Sequence, residues 1–120
     1  MDAGLDSQLG DLAWSIATGL RAGYSLPEVI RAMAAEAPEP AAAACKLLLA
    51  ELDRGSDLVS ALEHWRQAVP SAALGRLAQA LTQTPQFGNL ADQVDTLSEQ
   101  FLSEFGSDPA FYPAMRLEAA

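Results

Sequence analysis

The stretch Leu20-Arg21-Ala22-Gly23-Tyr24-Ser25-Leu26-Pro27-Glu28-Val29 reads as the end of one helix and the start of another. Gly23 suits the position just past a helix end, where the backbone turns left-handed. Ser25 followed three residues later by Glu28 is a capping-box pattern, and Pro27 is tolerated in a first helical turn. Upstream, Leu9, Leu12, Ala13, Ile16 and Leu20 recur on one helical face, which predicts a helix from about Ser7 to Ala22. Downstream, Leu26, Val29, Ile30 and Met33 stripe a second helix that ends before Pro38 and Pro40.

The same punctuation returns further along. Arg54-Gly55-Ser56-Asp57-Leu58 leads to Ala61-Leu62 as the first stretch leads to Val29-Ile30. Counted from each glycine, apolar residues fall at +3, +6 and +7 in both. Gly55 follows Gly23 by 32 residues, and Gly88 follows Gly55 by 33, a weak internal repeat.

Four more segments complete the pattern. A third helix over about Pro40 to Arg54 turns Ala41, Ala44, Cys45, Leu48 and Leu52 inward. A fourth, capped by Ser56 or Asp57, carries Leu58, Ala61, Leu62, Trp65 and Val69. Pro70 and Ser71 open a fifth, with Leu74, Leu77, Ala78 and Leu81 aligned. Thr84-Pro85-Gln86-Phe87-Gly88 is a turn, and Asn89 caps a sixth whose Leu90, Val94, Leu97, Phe101 and Phe105 form a near-heptad seam. Gly106 to Pro109 ends it. With few β-branched residues and no sustained apolar–polar alternation, the expectation is all-α: a six-helix bundle built from three antiparallel hairpins.

Composition bounds the function. The chain has 120 residues, half of them hydrophobic, enough for one core. Seven Lys and Arg stand against 16 Asp and Glu, a formal net charge of −9. Such a surface cannot replace the counterions of nucleic acid, nor dock directly on anionic lipid head groups. One cysteine, Cys45, rules out an internal disulfide, and with the single His64 it falls short of a zinc ligand set. No apolar run reaches the roughly 18 residues that span a bilayer. The acidic opening Met1-Asp2-Ala3-Gly4-Leu5-Asp6 lacks the basic-then-apolar pattern of a signal peptide.

The run from Leu20 to Val29 resembles the "LRAGxSLPxAL" signature of the type II secretion system F domain, found in GspF-, PilC- and Tad-type platform proteins. Further pieces follow in order. Pro38-Glu39-Pro40 matches a proline-rich break, and Gly55 with Leu58, Ala61 and Leu62 resembles the "G-x-x-L-x-x-A-L" second turn. Val69-Pro70-Ser71 resembles a "VPS" step, and Gly88-Asn89-Leu90 with Leu97 resembles "GGNLAEVLExLA". The resemblance covers about residues 9 to 102, and its single copy is closest in wording to the Tad-type proteins. The sequence departs from the pattern at Phe87, at Val29 and in the uncharged or acidic Gln100-Phe101-Leu102-Ser103-Glu104.

The resemblance implies a non-enzymatic helical domain on the cytoplasmic face of an inner-membrane platform protein, with no cofactor. It implies membrane attachment through flanking segments, an oligomeric state, and as partners a cytoplasmic secretion or pilus-assembly ATPase, other platform subunits and pilins. On this reading residues 1–106 form the helical domain, and 107–120 are a tail or the start of a membrane-proximal helix. The run Phe111-Tyr112-Pro113 then serves as a junction toward the membrane, the alternative being a strap on a neighbour. A free-standing helical-repeat adaptor that binds a peptide is the alternative reading of the whole chain, suggested by the 32- to 33-residue period.

No acid–base or nucleophile pair is legible, and the glycines form no phosphate-binding loop. Glu51, Asp53 and Asp57 gather around Gly55, yet lack the ligand order of a calcium loop and suit helix ends. Asp92, Asp95 and Glu99 share a face of the sixth helix, suited to solvent or to a basic partner surface. If the hairpins run in register, Arg21, Tyr24, Arg54 and Asn89 gather at one end of the bundle, where rigidly held turns make natural contact points. Trp14 and Trp65 suit the core better than an interface. His64 reads as a half-exposed surface residue.

Overall fold

A computed structural model describes residues 2–82, 89–109 and 111. Six helices follow one another: α1 (Asp2–Arg21), α2 (Leu26–Glu36), α3 (Ala41–Asp53), α4 (Leu58–Ala68), α5 (Ala72–Thr82) and α6 (Leu90–Phe105). No strand occurs among the described residues. The all-α bundle expected from the sequence is therefore the fold. The turn expected over Thr84 to Gly88 lies outside the described residues, as do Tyr112 and Pro113.

The helix ends follow local chemistry. Ser25 is the N-cap of α2: its Oγ accepts the Glu28 N–H, and Glu28 Oε1 accepts the Ser25 N–H at 2.8 Å. Gly23 and Gly55 hold φ of +100° and +96°, the left-handed conformation that a Cβ opposes. The N-cap position of α4 is Asp57. Two boundaries differ from the sequence reading. The first helix starts five residues earlier, at Asp2, because Leu5 continues the buried stripe and nothing before Ser7 breaks it. Asn89 takes the N-cap position of α6 but makes no side-chain capping bond.

The apolar stripes meet in one core. Leu9, Leu12, Ile16, Ile30, Met33, Leu48, Leu62, Leu74, Leu77 and Phe101 are among its fully buried side chains. Trp65 joins them, and its indole Nε1–H donates to the Ala44 carbonyl at 2.8 Å, which binds α4 to α3. Trp14 is only half-buried. Cys45 is buried within the same cluster.

The glycine turns at Gly23 and Gly55 join α1 to α2 and α3 to α4, and α5 touches α6, but the broadest packing lies between these pairs. The most extensive contact is α1 on α6, followed by α2 on α3 and α4 on α5. Each helix also touches the next in sequence, so the six close into a ring. Helix α1 is the hub, since it also touches α3 and α5. Its close approach to α6 runs through Gly10: a Cβ there would lie 2.7 Å from the Leu102 side chain. The Gly10 carbonyl accepts the buried Ser98 hydroxyl at 2.8 Å.

Two further contacts pin the ring. At the start of α5, the Ser71 Oγ accepts the Leu74 N–H and donates to Asp6 on α1 at 2.8 Å. Arg76 of α5 lies 4.9 Å from the centroid of the Phe101 ring while bonding Glu104 and Gln100 on α6. Past α6, Gly106 turns the chain at φ +79°, and Phe111 is buried in the core.

Candidate functional site

The ends of α1 and α3 and the start of α6 share one end of the bundle because the helices alternate in direction. Arg21, the last residue of α1, reaches Asp92 and Asp95 in the first turns of α6. Arg31 of α2 pairs with Asp53, the last residue of α3, at 3.1 Å. Ser71 meets Asp6 at the opposite end, so the C-terminus of α5 points back toward the glycine turns.

Three of the residues singled out from sequence are thus brought into direct contact. One Arg21 nitrogen bonds Asp92 and another bonds Asp95, 3.1 Å away. Asp92 and then Asp95 push the guanidinium pKa up, holding its charge on. Arg21 and Asp92 are exposed and Asp95 is half-buried, so the cluster orients α1 on α6 more than it stabilises the fold. Tyr24 is 38% exposed beside this cluster in sequence, with its backbone N–H bonded to the Gly19 carbonyl. Asn89 and Glu99 are also exposed.

Arg54 is not joined to that cluster. Its guanidinium pairs with Glu51 in the last turn of α3, the helix that Arg54 follows as C-cap. Glu51 also accepts from Ser56 and lies 3.2 Å from His64 Nδ1. The His64 bond first, then the charge of Arg54, hold the Glu51 carboxyl below its ordinary range. The three carboxylates around Gly55 are accordingly engaged with separate groups: Glu51 with Arg54 and His64, Asp53 with Arg31, and Asp57 at a helix start. Among the described residues no group of three or more His, Cys, Asp or Glu is arranged to hold a metal ion. A groove between α4 and α5 is bordered by Arg66, Gly75 and Arg76, and none of the seven singled-out residues lines it.

Sequence reasoning missed a second polar assembly, on the opposite half of α1. Gln8, Asp11 and Ser15 recur at helical spacing and are buried. Taken alone, that spacing reads as a solvated face. Gln8 and Asp11 are covered by the α2–α3 junction and the chain after α6, whereas the Ser15 hydroxyl is buried with no hydrogen-bond partner among the described residues. Asp11 accepts the Asp108 N–H at 2.8 Å, and Gln8 bonds Glu39, Ala41 and Asp108.

The six helices form a closed all-helical bundle, and no helix among the described residues is long and apolar enough to cross a membrane. The chain belongs to a known family: the model of "Type II secretion system (T2SS), protein F" matches residues 14–107, most of its length. No curated protein and no solved structure gives a significant match.

Proposed function

We propose that this domain is a non-enzymatic interaction module of an inner-membrane platform protein in a secretion or pilus assembly of the Tad type. It works on the cytoplasmic face, receives motion from an assembly ATPase and passes it toward pilin polymerisation. The observation that carries this reading is the family match over residues 14–107. The glycine-turn end is the contact surface, with Arg21, Tyr24, Arg54, Asn89, Asp92, Asp95 and Glu99 as its residues. A ring closed by α6 on α1 supports a rigid relay over an open helical-repeat adaptor, whose repeats would touch only their neighbours.

The test mixes the domain with its cognate ATPase and measures association. Tyr24→Ala and Glu99→Lys are the informative variants, because Asp92 and Asp95 already hold Arg21. Weaker binding with an unchanged helical circular-dichroism spectrum is the expected result. No association at high micromolar concentration, with a folded ATPase, removes that partner. The flanking reading frame is a second check, with apolar segments of about 20 residues expected beside this domain.

A further inference from the structure

The N-cap residue of α3, Pro40, has no side chain that can cap the helix, and the neighbouring Glu39 carboxylate accepts the Ala43 N–H at 3.0 Å, which leaves the Ala41 N–H to find another acceptor. The first N–H groups of a helix have no partner within it and need an outside acceptor. The Ala41 N–H finds one on α1: it donates to Gln8 Oε1 at 2.8 Å. The opposite end of the same amide, Gln8 Nε2, donates to the Glu39 carbonyl at 3.0 Å and to Asp108 Oδ2 at 2.9 Å. An amide offers two N–H donors and one carbonyl oxygen, and here both donors and the oxygen are engaged. The backbone groups fix its orientation, because Ala41 N–H can only donate and Glu39 carbonyl can only accept. Gln8 is 1% exposed, so none of these bonds is replaced by water without opening the structure.

The chain leaving α6 is held at three points. After Gly106 it turns, and Asp108 meets Gln8 through its carboxylate and Asp11 through its backbone N–H. Gln8 and Asp11 are one helical turn apart. The Phe111 N–H then donates to the Asp108 carbonyl at 2.9 Å, and the Phe111 ring is fully buried.

We propose that Gln8 is a latch coupling the α2–α3 junction to the chain that leaves α6, so that loosening one loosens the other. The residue type is specific to this task. Glutamate would offer no donor and would set a second negative charge against Asp108, and methionine would fill the space with no hydrogen bond at all. The latch does not depend on which partner the glycine-turn end binds.

Amide hydrogen exchange on the 120-residue chain tests it from both sides. In Gln8→Met, exchange at Ala41, Asp108 and Phe111 is expected to accelerate at least tenfold, with α4 and α5 unchanged. In Asp108→Ala, a change on the half-exposed exit segment, the Ala41 amide is expected to accelerate severalfold although Asp108 does not bond it. An unchanged Ala41 rate in Asp108→Ala overturns the coupling. So does a Gln8→Met effect confined to Ala41. The α4 and α5 amides report global unfolding, and if Gln8→Met unfolds the bundle, the Asp108→Ala measurement decides alone.

Discussion

Gly10 sits where α1 and α6 come closest, and two effects compete there. In an isolated helix, Gly→Ala gains about 1 kcal/mol from propensity. In the bundle, the added Cβ would stand 2.7 Å from Leu102 Cγ and Cδ2 and 3.1 Å from the Leu102 backbone N. A backbone atom and a branched carbon cannot swing aside as the tip of a long side chain can. Overpacking typically costs about 1–3 kcal/mol, so Gly10→Ala is expected to destabilise on balance, read as a lower urea midpoint. The next residue, Asp11, sets a pH dependence. Burial pushes its carboxyl up from 3.8, the Asp108 N–H pulls it down, and the Asp108 charge adds to the rise. The folded chain therefore binds this proton more tightly than the unfolded chain does. The contribution to stability is full below pH 3.8 and is lost as pH rises through the raised value. Asp11→Asn keeps an acceptor for the Asp108 N–H and removes the titration. Its stability should fall less than the parent's between about pH 4 and pH 7.

Short helices depend on their ends. Helix α2 has 11 residues, marginal on its own, and its start is fixed by the reciprocal Ser25–Glu28 bonds. Ser25→Ala should cost about 1 kcal/mol and speed exchange of the Glu28 amide. Gly55→Ala should cost about 1–2 kcal/mol, because its φ of +96° is strained for any residue with a Cβ, although no atom stands in the way. Equal thermal midpoints for Gly55→Ala and the parent would contradict this. These elements were legible in the sequence for the same reason that they are fragile. The Ser25–Glu28 cap and the Gly23 and Gly55 turns are written in residues three or four apart. The eight stripe positions read on α2 and α5, all of them buried, follow the same short-range rule. The roles of Gln8, Asp11 and Ser98 are set by partners 31 to 100 residues away. Nothing in their neighbourhood distinguishes them from surface polar residues. Gly10 likewise has no neighbour in sequence that announces the Leu102 contact, 92 residues away.

Across the whole molecule, charge and topology set the behaviour. A net charge of −9 on 120 residues repels itself in the folded state, and the ion pairs that offset it are exposed. Exposed pairs contribute little and are screened together with the repulsion. Raising sodium chloride from about 0.05 to about 0.5 M should therefore raise the thermal midpoint, and a fall would mean that the pairs outweigh the net charge. The candidate site was legible only in part at this scale. The sequence placed Arg21, Tyr24, Arg54 and Asn89 at turns, and the alternating helix directions bring those turns to one end. That Arg21 would spend its charge on Asp92 and Asp95 depends on α6 packing against α1, which no local pattern specifies.

The position of Cys45 adds a property of another kind. The chain's single sulfhydryl is sealed in the core, and burial pushes its pKa up to about 12. It is protonated and shielded, so a maleimide or disulfide reagent can react only during moments when the bundle parts. The domain thus carries its own stopwatch: the labelling rate of one sulfur atom counts how often the ring of helices breathes open, without any dye or engineered probe.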